Sequence, residues 1–483
     1  MAKKSSKTAF LAQQKQERIQ QQIKNEKRKA VIKKSAITVS CIVAAALAVV
    51  LCVSLVLNSG ILLKGSVISS ENYTVTKGMM SYYIYEQYKS FTDYYGSSLS
   101  AMTFDKNRSL KKQYYNETQT FFEFFADEAY TDAKTYVYFC EAAKKAGFDI
   151  SDQAKDALKL RAENTDLKLY GRGLSLEDVY NALYIRALAS SYNSKMYSEA
   201  IPEDTDIQKY LEKNTVQCQL VDYLVYSVKY SKDNKADQSE AEETANTLAK
   251  AETPDDFKLE AVKLYTDGVI TTLDPTDESV KKVISQMLSE KIAFTDNDLG
   301  DWLFRDAEVN QTKVIQDTTK NCYNVYMLLA KPYLDTTKTV DVRHILLPFG
   351  DYDSKEAAKA DAERILALYN GTEESFASLA LTYSSDLGSS AVGGLYERVE
   401  QGSMETEFDA WCFDSSRKNG DTGIVYTSTG YHVMYFCGDN VEAWKIPYIS
   451  ETASDSIYSD YEIFESRYKL TENKEDIYTI PER

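Results

Sequence analysis

The feature that most constrains the fold of this chain is an internal repeat: residues 216 to 330 echo residues 339 to 438. The strand-like run Leu220-Val221-Asp222-Tyr223-Leu224-Val225-Tyr226 mirrors Asp341-Val342-Arg343-His344-Ile345-Leu346-Leu347. Thr253-Pro254-Asp255-Asp256-Phe257 mirrors Thr372-Glu373-Glu374-Ser375-Phe376, and Asp301-Trp302-Leu303-Phe304 mirrors Ala410-Trp411-Cys412-Phe413. Cys322-Tyr323-Asn324-Val325 mirrors Gly430-Tyr431-His432-Val433. Two copies of one mixed strand and helix module are therefore expected. The alignment sets Tyr223 against His344 and Asn324 against His432, so the first copy is read as degenerate.

The chain has 483 residues, 43% of them hydrophobic and 27% charged, which is globular composition with room for several domains. Its charge is unevenly placed. Residues 1 to 34 hold eleven Lys and Arg against Glu17 and Glu26, a net of +9, so with −17 overall the remainder carries −26. Next comes Ala36 to Leu57, 22 residues without a charge. At about 1.5 Å per residue this run is long enough for a membrane helix. The basic flank predicts an uncleaved signal-anchor with residues 1 to 34 in the cytoplasm and the bulk outside the membrane. A cleaved signal peptide is the competing reading, disfavoured by the long basic segment and the long apolar run. The acidic body excludes nucleic acid as a partner, and the basic segment lacks interleaved aromatics.

Of the seven cysteines, two lie in the apolar run, and the other five show no paired spacing for zinc or for a disulfide framework. No metal and no cofactor is expected. Residues 65 to 204 read as a helical domain, with helices through Phe121-Phe122-Glu123-Phe124-Phe125, from Ser151 to Tyr170, and from Ser175 to about Tyr197. Phe121 and Phe125 are read as core. The 37 tyrosines offer large contact area with a hydrogen-bonding tip, which suits the binding of varied unfolded segments. Residues 441 to 483 carry Ile457, Tyr461, Phe464 and Tyr468 at near-helical spacing and are expected to pack on the helical domain.

The only two histidines, His344 and His432, sit in the second copy. Between them come Tyr383-Ser384-Ser385-Asp386, then Gly393-Gly394, then Met404 and Phe408. This order resembles the parvulin (PpiC) family of peptidyl-prolyl isomerases over roughly residues 339 to 438. The resemblance implies a catalytic set of His344, His432 and Asp386 with Thr427 supporting the histidines, and a proline pocket of Tyr396, Met404 and Phe408. Tyr396 and Glu397 depart from the leucine and glycine usual after the glycine pair. The acidic Asp351 and Asp353 after the first histidine strand argue against a phosphate-selecting form.

The layout as a whole resembles membrane-anchored foldases of the PrsA and SurA type. The expected fold is α+β: a cytoplasmic tail (1–34), a single transmembrane helix (35–58), a helical chaperone-like domain (65–204), a degenerate parvulin-like module (205–335), an isomerase module (338–440) and a helical tail (441–483). The expected function is a membrane-anchored extracytoplasmic prolyl isomerase acting on unfolded or newly exported polypeptides. The alternative is a non-catalytic holdase that uses the modules as scaffold. Client identity and oligomeric state are not legible in the sequence.

Overall fold

The computed structural model of the chain describes residues 43, 46–56, 59–96, 98–99, 104–170 and 172–482. Residues 36–42, 44, 45 and 57 of the apolar run Ala36 to Leu57, and all of the basic segment before it, lie outside these residues. No described helix is long and apolar enough to cross a membrane. The chain is a mixed α+β protein. It divides into two compact units, one made of the chain up to Val137 with Ala162–Arg186 and Lys469–Arg483, the other of Tyr138–Arg161 and Ala187–Tyr468.

In the first unit, strands β1 (Ser66–Ser69) and β2 (Thr74–Thr76) form an antiparallel sheet completed by the terminal strand Thr471–Glu472. Helix α1 (Lys77–Tyr95) follows, started by Thr76, whose hydroxyl accepts the Met79 N–H. Helix α2 (Phe121–Lys145) begins with a reciprocal cap: Thr120 Oγ1 accepts from Glu123 N, and the Glu123 carboxylate accepts from Thr120 N. Phe121 and Phe125 are buried and meet Phe91 and Phe104 in edge contacts, so the aromatic run is core as expected. The buried Arg186 lies 3.6 Å from Glu86, keeping two charges paired away from water.

In chain order, helices α3 (Asp152–Asn164), α4 (Leu176–Glu199) and α5 (Asp204–Lys213) follow. The helix expected to run to Tyr170 stops at Asn164. Asp166 instead accepts the N–H of Lys168 and restarts the chain as a 3-10 turn over Leu167–Leu169.

The second unit contains both copies of the repeat. The first has strands β3 (Leu220–Lys229), β4 (Leu288–Ala293), β5 (Thr312–Asp317) and β6 (Cys322–Leu328), with helices α6 (Lys235–Leu248), α7 (Pro254–Tyr265) and α8 (Glu278–Met287) between β3 and β4. The second has β7 (Lys338–Pro348), helices α9 (Lys355–Leu366) and α10 (Glu373–Tyr383), β8 (Leu395–Val399), helix α11 (Thr406–Cys412), β9 (Thr422–Tyr426) and β10 (Gly430–Glu442). Both sheets are antiparallel, and their orders correspond: β4-β3-β6-β5 and β8-β7-β10-β9. Matching threonines cap the matching helices: Thr253 Oγ1 accepts from Asp256 N and Thr372 Oγ1 from Ser375 N. One face of each sheet is covered by its helices, through Leu224, Val325 and Phe257 in the first and Ile345, Val433 and Phe376 in the second.

The strand register corrects one expectation. His344 pairs with Met434 and His432 with Leu346, so the two histidines stand two residues apart across β7 and β10. Tyr223 pairs with Leu328 and Asn324 with Ser227, four residues apart across β3 and β6. Tyr223 and Asn324 cannot both occupy histidine places. The pairs with matching offset are Tyr223 with Tyr326, whose rings meet at 5.6 Å, or Val225 with Asn324. A shift of two residues keeps every side chain on its own face, which is why hydrophobic alternation alone did not expose the slip.

Helix α12 (Ile446–Arg467) closes the second unit, with Tyr448 stacked on Tyr210 at 4.0 Å and Phe464 edge-on to Phe139 at 5.6 Å.

Candidate active site

The site lies on the face of the second sheet opposite α9 and α10. β7 supplies His344 and β10 supplies His432, because antiparallel pairing sets diagonal neighbours on one face within reach of large rings. The rings lie 5.4 Å apart and 18° from parallel, with Nδ1 to Nδ1 at 3.2 Å. Phe408 from α11 is buried and meets both rings edge-on, at 5.6 Å and 5.3 Å. Met404, two residues before that helix, is half-buried against the same apolar cluster.

The segment from Ser384 to Gly394 brings the acid. It lies along the edge of β7: the His344 N–H donates to Gly394 O at 2.8 Å, and the Ser385 N–H to Leu346 O at 3.0 Å. Gly394 has φ of +75°, and a Cβ there would fall 2.3 Å from the His344 carbonyl oxygen, so this close approach requires glycine. Within the segment, Asp386 Oδ2 accepts from His344 Nε2 at 3.0 Å, Tyr396 OH at 3.0 Å and Ser389 N at 3.0 Å. The Ser389 hydroxyl also donates to Oδ2 and lies 3.2 Å from His344 Nε2. Burial alone would raise the Asp386 pKa, but these hydrogen bonds, led by that of His344, hold it well below the ordinary carboxylate range.

An ionised Asp386 can only accept, so it takes the Nε2–H of His344 and leaves Nδ1 of that ring as an acceptor for the Nδ1–H of His432. Nε2 of His432 then accepts the hydroxyl proton of Thr427, 3.1 Å away and fully buried. Thr427 Oγ1 in turn accepts from Thr429 N at 3.3 Å, and Thr429 donates to Glu405 Oε1 at 2.9 Å. Glu405 also takes Ser428 N at 3.1 Å and Ser428 Oγ at 2.6 Å. Burial opposes its ionisation, but these donors outweigh burial and lower its pKa. Burial, then the neighbouring His344, push His432 down to about 4, so it is neutral at physiological pH. Burial and the Asp386 charge raise the Tyr396 phenol above its usual value, keeping its proton in place to donate.

The structure thus joins Thr427, His432, His344 and Asp386, and places Tyr396, Met404 and Phe408 beside them. Tyr396 also stacks on His344 at 4.7 Å, so its ring is wall and its hydroxyl is part of the polar chain. Sequence reasoning missed Ser389 and Glu405. Ser389 follows Asp386 by the three residues at which an aspartate caps a backbone N–H, a readable signal. Glu405 adjoins Met404 and meets its partners only through the fold. The imidazole pair, its His432 neutral, lies beside an apolar floor and offers no activated nucleophile. It can hold a proline ring and orient donors at an amide, whose rotation barrier of about 20 kcal/mol comes from resonance.

Residues 344–437 match the family described as the PPIC-type PPIASE rotamase domain. The chain is 34% identical over 122 residues to the foldase protein PrsA 1 of Listeria innocua, covering 25% of this chain and 38% of that protein. It is 33% identical over the same length to PrsA 1 of Listeria monocytogenes. The chain thus spans well under half the length of the curated relatives it matches. Among solved structures, similarity is found to the peptidylprolyl isomerase PrsA of Bacillus anthracis, at 16% identity and TM-score 0.20, covering 47% of this chain and 89% of that one. A SurA-like chaperone of Campylobacter jejuni is similar at 16% identity and TM-score 0.19, covering 66% and 92%. Over residues 344–437 the chain carries a parvulin, PPIC-type isomerase domain, homologous in sequence to the PrsA foldases.

Proposed function

We propose that residues 338–440 catalyse cis–trans isomerisation of X-Pro bonds in unfolded, newly exported polypeptides. The observation that carries this reading is the unbroken hydrogen-bonded chain from Thr427 through His432 and His344 to Asp386, lying against Phe408 and beside Met404. Met404, Phe408 and the Tyr396 ring receive the proline ring, and exclusion of water favours the twisted amide, in which conjugation is lost and charge separation is smaller. His344, His432 and Asp386 are the catalytic residues and Thr427 orients the pair. No nucleophile, metal or cofactor takes part.

In the same reading, residues 1–34 are cytoplasmic and 35–58 anchor the chain in the cell membrane. Residues 65–204 with the tail 441–483 form a chaperone body, and residues 205–335 are a module without catalysis. Protease added outside intact cells is expected to digest the chain beyond Leu63 and spare residues 1–34.

The catalytic test is exchange NMR on an unphosphorylated X-Pro peptide with the full chain. Acceleration of exchange is expected, with His432→Ala and Asp386→Ala slowing it about 30-fold, as expected when a buried donor loses its partner. Unchanged rates in both variants with the fold intact would remove the site assignment. A holdase is the second reading, favoured by the absence of any histidine from the first copy; suppression of client aggregation with no acceleration of exchange would select it.

A further inference from the structure

The two copies differ at one edge. In the second, β8 pairs with β7 only as far as Arg343, and beyond it the segment Ser384–Gly394 covers the outward backbone groups of His344 and Leu346. In the first, β4 pairs with β3 only as far as Leu224. The Tyr230 N–H donates to Asn321 O and the Leu329 N–H to Asp222 O, so the even-numbered residues of β3 face β6. Val225, Ser227 and Lys229 therefore turn their N–H and C=O groups to the opposite edge, and no strand among the described residues pairs with them there. Ser227 and Lys229 are exposed. Along this edge runs a groove of about 600 Å³ lined by Leu264, Tyr265, Val283 and Met287 from α7 and α8. The Leu264 and Tyr265 side chains stand open to solvent at 38% and 44% exposure.

We propose that this groove is a second polypeptide-binding site. An extended, proline-free segment of an unfolded chain adds as a strand to the Val225–Lys229 edge and lays its alternate apolar side chains against Leu264, Tyr265 and Met287. Two features specify such an occupant. Free ladder donors and acceptors at every second residue match an extended backbone and no compact ligand. In the second copy, the chain itself satisfies the same edge from the two ends of a turn-containing segment, Gly394 O accepting the His344 N–H and Ser385 N–H donating to Leu346 O. Proline lacks the N–H the edge needs, so this site takes stretches unlike those turned over at the histidines. The inference rests on the reading that the protein handles unfolded polypeptide, but it requires no isomerase activity.

The probe is a short fluorescent peptide of alternating Thr and Val, titrated into the full chain and followed by anisotropy. Its depsipeptide analogue, with esters in place of amides, keeps the side chains and loses the N–H groups. The analogue is expected to bind about tenfold more weakly, as loss of a few edge hydrogen bonds implies. Ser227→Pro, which removes an outward N–H at an edge that tolerates proline, is expected to weaken the parent peptide by a similar factor. Ser227→Ala should bind as the parent chain does, and Ser227→Pro should keep its prolyl exchange rate, so failure here is distinguishable from failure of the catalytic reading. Equal affinity for peptide and depsipeptide would overturn the proposal, and this comparison on the unaltered chain decides even if Ser227→Pro fails to fold. A concentration-dependent dimer that Ser227→Pro dissociates and the peptide does not disturb would also overturn it, assigning the edge to a second copy of this chain.

Discussion

The two four-stranded copies share strand order, helix caps and a helix-covered face, yet only the second holds a polar site. The difference lies in one segment as much as in two histidines. Ser384–Gly394 fills the edge of β7, and the same backbone that closes the ladder delivers Asp386 and Ser389 to His344. The first copy has neither the histidines nor a strand along its edge beyond Leu224. Closing the edge and assembling the site are thus one structural event, and a copy freed of the site is also freed to leave its edge open.

The comparison is broken most forcefully at Gly394. Gly394→Ala would place a methyl 2.3 Å from the His344 carbonyl oxygen at a positive φ, lifting the segment from β7. A loss of about 4 kcal/mol is expected from strain and overpacking together, with prolyl exchange falling alongside. Thermal denaturation and exchange NMR measure both. Normal stability with normal exchange would separate edge closure from site assembly.

A second test uses pH. His432 titrates at about 4 when folded against an ordinary value of 6.5, so the unfolded chain binds its proton more readily. Its contribution is complete above pH 6.5 and is lost as pH falls toward 4, amounting to roughly 3 kcal/mol. Urea denaturation across this window is expected to show stability rising with pH, with a shallower rise in His432→Gln. Identical slopes would mean that the imidazole is not held neutral by its surroundings.

The smallest effect is expected at Glu405. Glu405→Gln keeps an acceptor for one hydroxyl of the Thr427–Thr429 turn but loses the charge that organises Ser428 and Thr429. Prolyl exchange about threefold slower with little change in stability is expected, since the effect reaches His432 only through Thr427. A loss as large as that of His432→Ala would make Glu405 part of the central polar set.

Much of the site was legible in the chain because its residues sit in local motifs. His344 lies in a β-branched and leucine-rich run, His432 follows a Gly430 turn, and Asp386 stands three residues past the end of a helix and before a glycine pair. Register was not legible: Tyr223 and Asn324 align well as words, but alternation repeats every two residues and accepts a slip of that size without moving a side chain to the wrong face. The end of α3 at Asn164 turned on one aspartate competing for a backbone N–H, a choice too close in energy for helical periodicity to decide.

By itself the sequence determined that a module occurs twice and that its second copy alone can present imidazoles, because these follow from residue identity and short-range spacing; that Asp386 and Thr427 accompany them was implied by the resemblance to parvulins. Only the tertiary structure decided which residues truly correspond across the repeat, that Ser389 and Glu405 flank the polar chain, and that one β-strand edge is closed while its counterpart is open. Those outcomes depend on pairing between segments distant in the chain, where backbone hydrogen bonds form without regard to side-chain identity and so leave little trace in the order of residues.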